Sequence, residues 1–493
     1  MPFIDDDVVG MRLDSGAVRQ LFWGDEVEVL SSSATEVRVK LPGVAKDRGE
    51  GVISPKAKLR NPGLLRMSMI DVQQGDGLII ETPTGKVIFI DGGDNQLFAR
   101  HVAARYPGTS DTNPLKVDLM LVTHGDADHF DGLNQLLKSE SHKTLRKRVF
   151  VAPGRYYHNG IVKRPGSKGG KKVPDVELLG ETTRVGKDTF ITGLVEDPGA
   201  LPGSERNDPF KTWVNTLAAW EPRVQRVWGQ PIERRRLDQT RGDAFDFLKG
   251  EGIGVDLYGP ITEDAGGAPG LRFLTSPPDD ANLMLGSKPG GKGKSLSASH
   301  TINGHSIAFR LRYGNVRFLF TGDLNQEAGE RLRQALPNAS LRCEVLKAPH
   351  HGSADFDMEF LKEAGPVVSL ISSGDENQTK EYIHPRATLM SALGKASRTT
   401  PGVIFCTELA AFFQTLGWVD APPAKGKKPR KVFAFERTNF GIVHIRTDGE
   451  RVLAFTHSGK EGMNEAYRFT VSSTGDVVFA PAVSKVSAPA KPD

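Results

Sequence analysis

Cysteine is nearly absent: the chain has 2 in 493 residues, Cys343 and Cys406. Each stands beside apolar sequence, which argues against a disulfide scaffold or a thiolate zinc site and leaves a reduced, buried pair as the expectation. Long apolar runs are missing too, and no stretch reaches the ~20 residues that a bilayer-spanning helix needs. The opening MPFIDDDVVG has no basic region followed by an apolar run, so no secretory leader is expected and the cytoplasm is the expected compartment. Neither sign of charge prevails, since the formal net charge is +4, too small by itself to name nucleic acid as a partner. Hydrophobic residues at 38% and charged residues at 25% make an ordinary globular balance, long enough for a large core and more than one domain.

What stands out is where the basic charge sits. Residues 143–172 hold 10 Lys or Arg and no acid, and IERRRLDQTR (232–241) and SKPGGKGKS (287–295) follow. These segments form either a positive rim that attracts an anionic substrate or solvated loops. Their glycines favour mobility over a rigid groove.

GDEVEVLSSSATEVRVKLPG (24–43) and EGVISPKAKLR (50–60) read as short alternating strands joined by polar turns. The pattern is similar to a small SH3-like barrel ending at residue 61, serving either to dock a protein partner or to pack. From Leu64 the texture changes. MSMIDVQQGDGLIIETPTGKVIFIDGG predicts two strands about a TPTGK turn, DNQLFARHVAARY a helix, LKVDLMLVTH a buried strand ending at His124, and DGLNQLLKSE another helix. The region 150–298, rich in Gly, Pro and charge, reads as long excursions from the core. HSIAFRLRYGNVRFLFTGDL is a hairpin ending at Asp323, and CEVLKAPHHGS a strand ending in two histidines. Strand-then-polar-tip thus recurs at 124, 323 and 350, and strand ends meeting at one sheet edge would gather these groups into one pocket. The expected division of this α/β chain is 1–61, then 62–470 with basic insertions in 150–298, then a terminal strand and disordered tail over 471–493.

The loop THGDADHFDG places His124, Asp126, Asp128 and His129 within six residues. Like charges this close repel unless cations compensate them, and zinc-like ions take imidazole nitrogen and carboxylate oxygen. The His-x-Asp-x-Asp-His spacing lets one sharp loop send alternate side chains toward two neighbouring ions, and Asp323 in TGD is suited to bridge them.

Five segments in order resemble the metallo-β-lactamase fold superfamily, in the branch similar to the soluble metallo-hydrolase domain of the ComEC/Rec2 DNA-uptake proteins. They are MIDVQQGDGLIIETPTGKVIFIDGG, THGDADHFDG, FTGD, LKAPHHGS and ISSGDENQTKEYIHP, with ERTNFGIVHIRTDGE resembling that branch's ending; together they span about residues 64–460. The resemblance implies an αββα sandwich with its site at one edge of the sheets. It implies two divalent ions, zinc or manganese: His124 and Asp126 on one, Asp128 and His129 on the other, Asp323 bridging, and His350 on the second, with His351 as alternative ligand or supporting group. Aspartate at 126, where most of the superfamily has histidine, makes the site more anionic. No upstream histidine matches cleanly; Asn303 takes its place in the ComEC-like pattern, with His305 and His300 as nearby candidates. Asp71, Asp76 and Asp91 are expected to support the ligands. Ser353, Asn377 and His384 are expected to bind substrate beyond the metals, His384 holding a phosphate or protonating a leaving group.

The implied chemistry is hydrolysis by metal-bound hydroxide, with Asp128, Asp323 and His384 in catalytic roles. The acidic ligand shell, His384 and the basic insertions favour a phosphodiester, and the resemblance points to DNA. Tyr156 and Tyr157 either stack bases or belong to a packed strand end. The alternatives are a hydrolase of a small anionic phosphoester, a lactone or β-lactam hydrolase, and a metal-retaining binding module.

Overall fold

LIIE (Leu78–Glu81) and VIFI (Val87–Ile90) are apolar at successive positions. Successive strand side chains point to opposite faces, so such strands need cover on both sides. Ile80, Ile88 and Ile90 pack inward against a second sheet, whereas Ile79 and Phe89 pack outward against helices. The structure is a computed structural model and describes residues 1–276, 295–374, 384–421, 430–457 and 463–490.

Two sheets face one another. The first has 10 strands, running from Glu233–Arg236 through Arg155–His158, Leu119–Leu121, Val87–Ile90, Leu78–Glu81 and Leu65–Met69 to the C-terminal strands Ile442–Thr447, Arg451–His457, Met463–Val471 and Val477–Phe479. The second has 6, in the order Ile253–Leu257, Phe309–Tyr313, Val316–Phe320, Val345–Lys347, Val368–Ile371 and Val403–Cys406. Met67, Leu121, Phe309, Phe318 and Leu370 meet between them. The helices Leu97–Arg105, Ala127–Ser139 and Asp208–Trp228 cover the first sheet through Phe98, Leu133 and Trp213. Gln326–Ala335, Met358–Ala364 and Ala387–Ala396 cover the second through Leu332, Phe360 and Leu393. This order of layers is the expected αββα arrangement of a mixed α/β architecture.

The region 150–298 is more structured than its composition suggests. Asp208–Trp228 buries Phe210, Trp213, Leu217, Trp220 and Val224, a helical spacing obscured in the sequence by Pro222. Its ends are marked: Asn207 Oδ1 accepts from Phe210 N at 3.1 Å, and Gly229 closes the helix at φ 74°. Glu233–Arg236 and Ile253–Leu257 each supply an edge strand of a main sheet. The basic run at 232–241 is not a free rim, because Arg234, Arg235, Arg236 and Arg241 pair with Glu221, Asp243, Glu196 and Asp238. The run at 287–295 lies outside the described residues except Ser295.

Near the N-terminus, Val8–Leu13, Val18–Phe22, Glu28–Ser32, Val37–Lys40 and Glu50–Ile53 form one antiparallel sheet around Val9, Met11, Leu21, Val39 and Ile53. It docks on the sandwich through fully buried Trp23, whose carbonyl accepts from Arg446 Nη1 at 2.5 Å and whose ring lies 3.9 Å from the Arg451 guanidinium. Beyond Val471 two more strands follow. Val477–Phe479 extends the large sheet, and Lys485–Val486 pairs in parallel with Val8 and Val9. Glu50–Ile53 pairs with the strand Val8–Leu13 only at Arg12 and Leu13, so the edge at Val8 and Val9 is open and the tail fills it.

One buried charge cluster joins sheet and helix: Glu81 lies 3.1 Å from Arg66 Nη2 and 2.8 Å from Arg105 Nη2. Burial alone would raise this carboxyl, but the two guanidinium groups outweigh it and bring it from 4.5 to about 2. Its contribution is therefore complete above pH 4.5 and is lost as pH falls through about 2. Glu81→Gln should lower stability at pH 7 by about 2–3 kcal/mol, and the gap in melting temperature from the wild type should close between pH 4.5 and 2. A gap independent of pH would refute the assignment.

Candidate metal centre

Parallel strands carry their C-terminal ends to one edge, where α/β proteins gather their functional groups. Val87–Ile90 leads into Asp91, Leu119–Leu121 into His124, Val316–Phe320 into Asp323, and Val345–Lys347 into His350 and His351. Of these tips, Asp323, His350 and His351 line a cavity of about 350 Å³, together with Gln73, Asp126, Asp128, Ser299, Asn303, Ser373 and His384.

Asp323 is the centre. It is buried, and four imidazole nitrogens face its Oδ2: His351 Nε2 at 3.1 Å, His129 Nε2 at 3.4 Å, His350 Nε2 at 3.7 Å and His124 Nε2 at 4.0 Å. The backbone N–H of Asp323 donates to Ser306 Oγ at 2.9 Å, which fixes the tip. His129 is aimed from behind: its Nδ1 lies 2.8 Å from Asp91 Oδ2, and Asp91 also accepts from Thr123 N and Thr123 Oγ1. This is the supporting role expected of Asp91, a carboxylate that fixes the orientation of an imidazole. His124 Nδ1 lies 3.2 Å from both Thr123 Oγ1 and Ser306 Oγ. Asp76 has a similar place behind His351, whose Nδ1 is 3.3 Å from its Oδ1. The other Asp76 oxygen pairs with Lys347, a fully buried lysine that also donates to Gly322 O at 2.9 Å. Lys347 and Lys163 were not singled out in the sequence, although Lys347 stands inside LKAPHHGS.

The backbone is strained here. Among the described residues, the non-glycine positions with positive φ are Gln73, Asp91, His350 and His351, and each belongs to the site. Such conformations cost of order 1–3 kcal/mol each and cluster where function over-determines geometry. Gly75 shows the same crowding, because a Cβ there would stand 1.6 Å from Asp128 O.

Charges are strongly coupled. Burial opposes protonation of His129 and His351, but the carboxylates outweigh it: Asp323 and Asp91 hold His129 well above its ordinary value, and Asp323 and Asp76 raise His351 to about 9. Asp323, despite burial, is held well below the carboxylate range by His351, His129 and His350. Burial, with His129 nearby, pushes His124 well down. The donor set suits a cation. His129 Nε2, both ring nitrogens of His351 and Asp323 Oδ1 are buried without a hydrogen bond, although buried polar groups are normally satisfied. Asp128, His129 and His351 bring three ligand atoms within 4.8 Å, as do His124, His129 and Asp323. The arrangement is that of a site able to hold a metal ion.

The expected positions are placed as follows. His350, expected as the ligand, stands 3.7 Å from Asp323 Oδ2 and 3.3 Å from the Asn303 amide, and the alternative His351 stands 3.1 Å from Asp323 Oδ2. Adjacent residues at φ 47° and 51° send the two rings in different directions. His305 is buried away from the cavity, its Nε2 donating to Arg272 O at 2.7 Å, and His300 faces Asp355 at 3.4 Å. Ser353 is buried and its hydroxyl accepts from Asp355 N, so the hydroxyls at the cavity are those of Ser299 and Ser373. Asp71 accepts from Gln73 Nε2 at 3.0 Å. Tyr156 and Tyr157 are fully buried, which excludes base stacking and leaves the packed strand end. Asn377 lies outside the described residues.

No family model matches the chain. Among curated proteins it is similar to ComE operon protein 3 of Bacillus subtilis (strain 168), with 30% identity over 96 residues, which is 19% of this chain and 12% of that protein. The chain thus matches only a small part of that relative's length. Solved structures similar to it include a mutant of the CmlA beta-hydroxylase, at 10% identity and TM-score 0.27, covering 71% of this chain and 53% of that one. A diphosphatase from the PhnP family gives 11% and 0.22 over 65% and 93%, and unliganded yeast PDE1 gives 9% and 0.31 over 69% and 97%.

If Asp91 aims His129, Asp91→Asn should weaken divalent-ion binding by about 10–100-fold with the fold intact. Titration calorimetry with Zn²⁺ or Mn²⁺ beside circular dichroism tests this, and unchanged affinity would remove the role.

Proposed function

We propose that the chain is a metal-dependent phosphodiesterase of the metallo-β-lactamase superfamily, in its ComEC/Rec2-like branch, acting on DNA in the cytoplasm. The observation that carries the hydrolase reading is that His129 and His351 converge on Asp323 with Asp128 beside the two imidazoles, their buried ring nitrogens facing carboxylates without a hydrogen bond. We assign Asp128, His129, His351 and Asp323 to hold a divalent ion, zinc or manganese, with His124 beside them.

A bound divalent ion supplies Lewis acidity, lowers the pKa of water and offsets charge in the transition state. The chain supplies orientation. Asp91 and Asp76 stand behind His129 and His351, and the Lys347 ammonium keeps Asp76 ionised in a buried place. His384 lines the cavity. Burial and the charge on His351 and His350 push it down to about 3, so at neutral pH its ring is uncharged. Of its two expected roles, hydrogen bonding to a phosphoryl oxygen therefore fits better than giving a proton to the leaving group.

Support for DNA is the resemblance, together with exposed Lys168, Lys171 and Lys172 on a hairpin beyond Lys163. A second reading, hydrolysis of a small anionic phosphoester, is favoured by the cavity's size of about 350 Å³, at the small-ligand end of binding sites. For the N-terminal SH3-like unit, burial of Trp23 against the sandwich supports packing over partner docking.

With Mn²⁺ or Zn²⁺ the protein should cut single- or double-stranded DNA and bis-p-nitrophenyl phosphate. Asp128→Ala and Asp323→Ala should each reduce both rates to background while leaving the chain folded. Activity confined to the small diester selects the second reading; metal analysis finding no bound ion under non-chelating conditions sinks the hydrolase.

A further inference from the structure

The resemblance sets two ions in this site, yet its two halves are not alike. The half about His129, His351 and Asp323 holds buried nitrogens and an oxygen without hydrogen bonds. The half about Asp126 is already satisfied by the chain. Asp126 Oδ1 lies 2.6 Å from Lys163 Nζ. Asp126 Oδ2 accepts from the amide of Asn303 at 2.9 Å when that amide is turned so that its nitrogen also donates to Ser299 O at 3.2 Å. Both oxygens of the expected first-ion carboxylate are thus engaged, and Asn303, a further ligand expected for that ion, presents a donor to it; His124, expected on the same ion, stands instead with His129 and Asp323. Among the described residues, no set of three ligand atoms within 4.8 Å includes Asp126.

Lys163 is delivered by an anchored backbone. Ile161 and Val162 before it are buried. Its own carbonyl accepts from Asn207 N at 2.9 Å, at the start of the helix Asp208–Trp228. Arg164 after it donates through its backbone to Leu178 O at 2.8 Å and pairs with Glu205 at 2.7 Å. The ammonium is therefore held against Asp126, a residue that lines the cavity, with its own side chain 30% exposed. A divalent cation entering there meets a like charge at hydrogen-bond distance from its own ligand. The site already uses a lysine in this way, since Lys347 neutralises Asp76.

We infer that Lys163 takes the place of the first metal ion: the chain holds one divalent ion, among Asp128, His129, His351 and Asp323, and the Lys163 ammonium is the second positive charge facing an anionic phosphoryl oxygen of the substrate. This rests on the metallo-hydrolase reading and deepens it. A lysine suits the task because it is a compact point charge that carries hydrogen-bond donors and no acceptor.

The test is a metal count on the full chain, by mass spectrometry after gel filtration from excess Zn²⁺ and by Mn²⁺ titration followed by electron paramagnetic resonance. Wild type should bind one ion per chain. Lys163→Met frees Asp126 and Asn303 and should raise the count to two, whereas Lys163→Arg, which keeps the charge, should stay at one. Asp126→Asn should also stay at one, because Asp126 does not hold the ion. Circular dichroism reports folding, and the Lys163→Arg and Asp126→Asn counts keep the test open if Lys163→Met fails to fold. Two ions in the wild type, one ion in folded Lys163→Met, or none in Asp126→Asn overturns the inference and leaves the metallo-hydrolase reading intact. No ion in the wild type overturns that reading itself.

Discussion

The carboxylate of Asp323 organises this molecule's active edge. Four imidazole nitrogens face one of its oxygens between 3.1 and 4.0 Å, at a buried strand tip. An isolated carboxylate there would be costly to bury, and an isolated imidazolium equally so. Each is tolerable because the other is present, and a cation can replace the protons that His129 and His351 hold against Asp323. Ion binding and loss of those protons are therefore linked events. The surrounding groups serve this centre: Asp91 and Asp76 stand behind the rings, Ser306 fixes the aspartate's backbone, and Lys347 sits beneath the loop.

That assembly depends on the two-sheet frame. The groups come from four strand tips separated by up to some 260 positions in the chain, counted from Asp91 to His351. They meet because parallel strands end at the same edge and the apolar layers on both sides of each sheet fix the register. The cost shows at the tips themselves, where four non-glycine residues stand at positive φ. Packing against helices on the outside and a second sheet on the inside is what holds them there.

Local patterns were legible. The spacing in THGDADHFDG needs no tertiary information to suggest a cation site, since the acids and histidines are neighbours in one loop. Strands such as Val87–Ile90 were equally plain, because cover on both faces writes a continuous apolar run. Less was visible where one signal overlay another. Phe210, Trp213, Leu217 and Trp220 carry a helical period, but Pro222 and the glycine-rich flanks hid a helix of 21 residues. Tyr156 and Tyr157 lie in a basic run that suggested nucleic-acid contact. Both are buried because their strand lies inside the large sheet, between Leu119–Leu121 and Glu233–Arg236.

Sequence alone determined most strands and helices, the ligand-bearing loop and Asp323 as a candidate bridge, because each depends on residues close together in the chain or on a period of two or 3.6, while the order of layers was implied by the family resemblance. Tertiary structure decided what adjacent residues could not distinguish. His350 and His351 are neighbours of one chemical type, and only the dihedral angles of their turn bring the second to 3.1 Å from Asp323 and set the first at 3.7 Å, beside Asn303. His305 looked available until its ring was found on the carbonyl of Arg272. Asp126, the position that narrowed the family resemblance, meets its partner Lys163 across 37 residues. Whether a carboxylate faces an ion or an ammonium depends on which charges the fold brings within a few ångströms, and that distance is not written in the spacing of the chain.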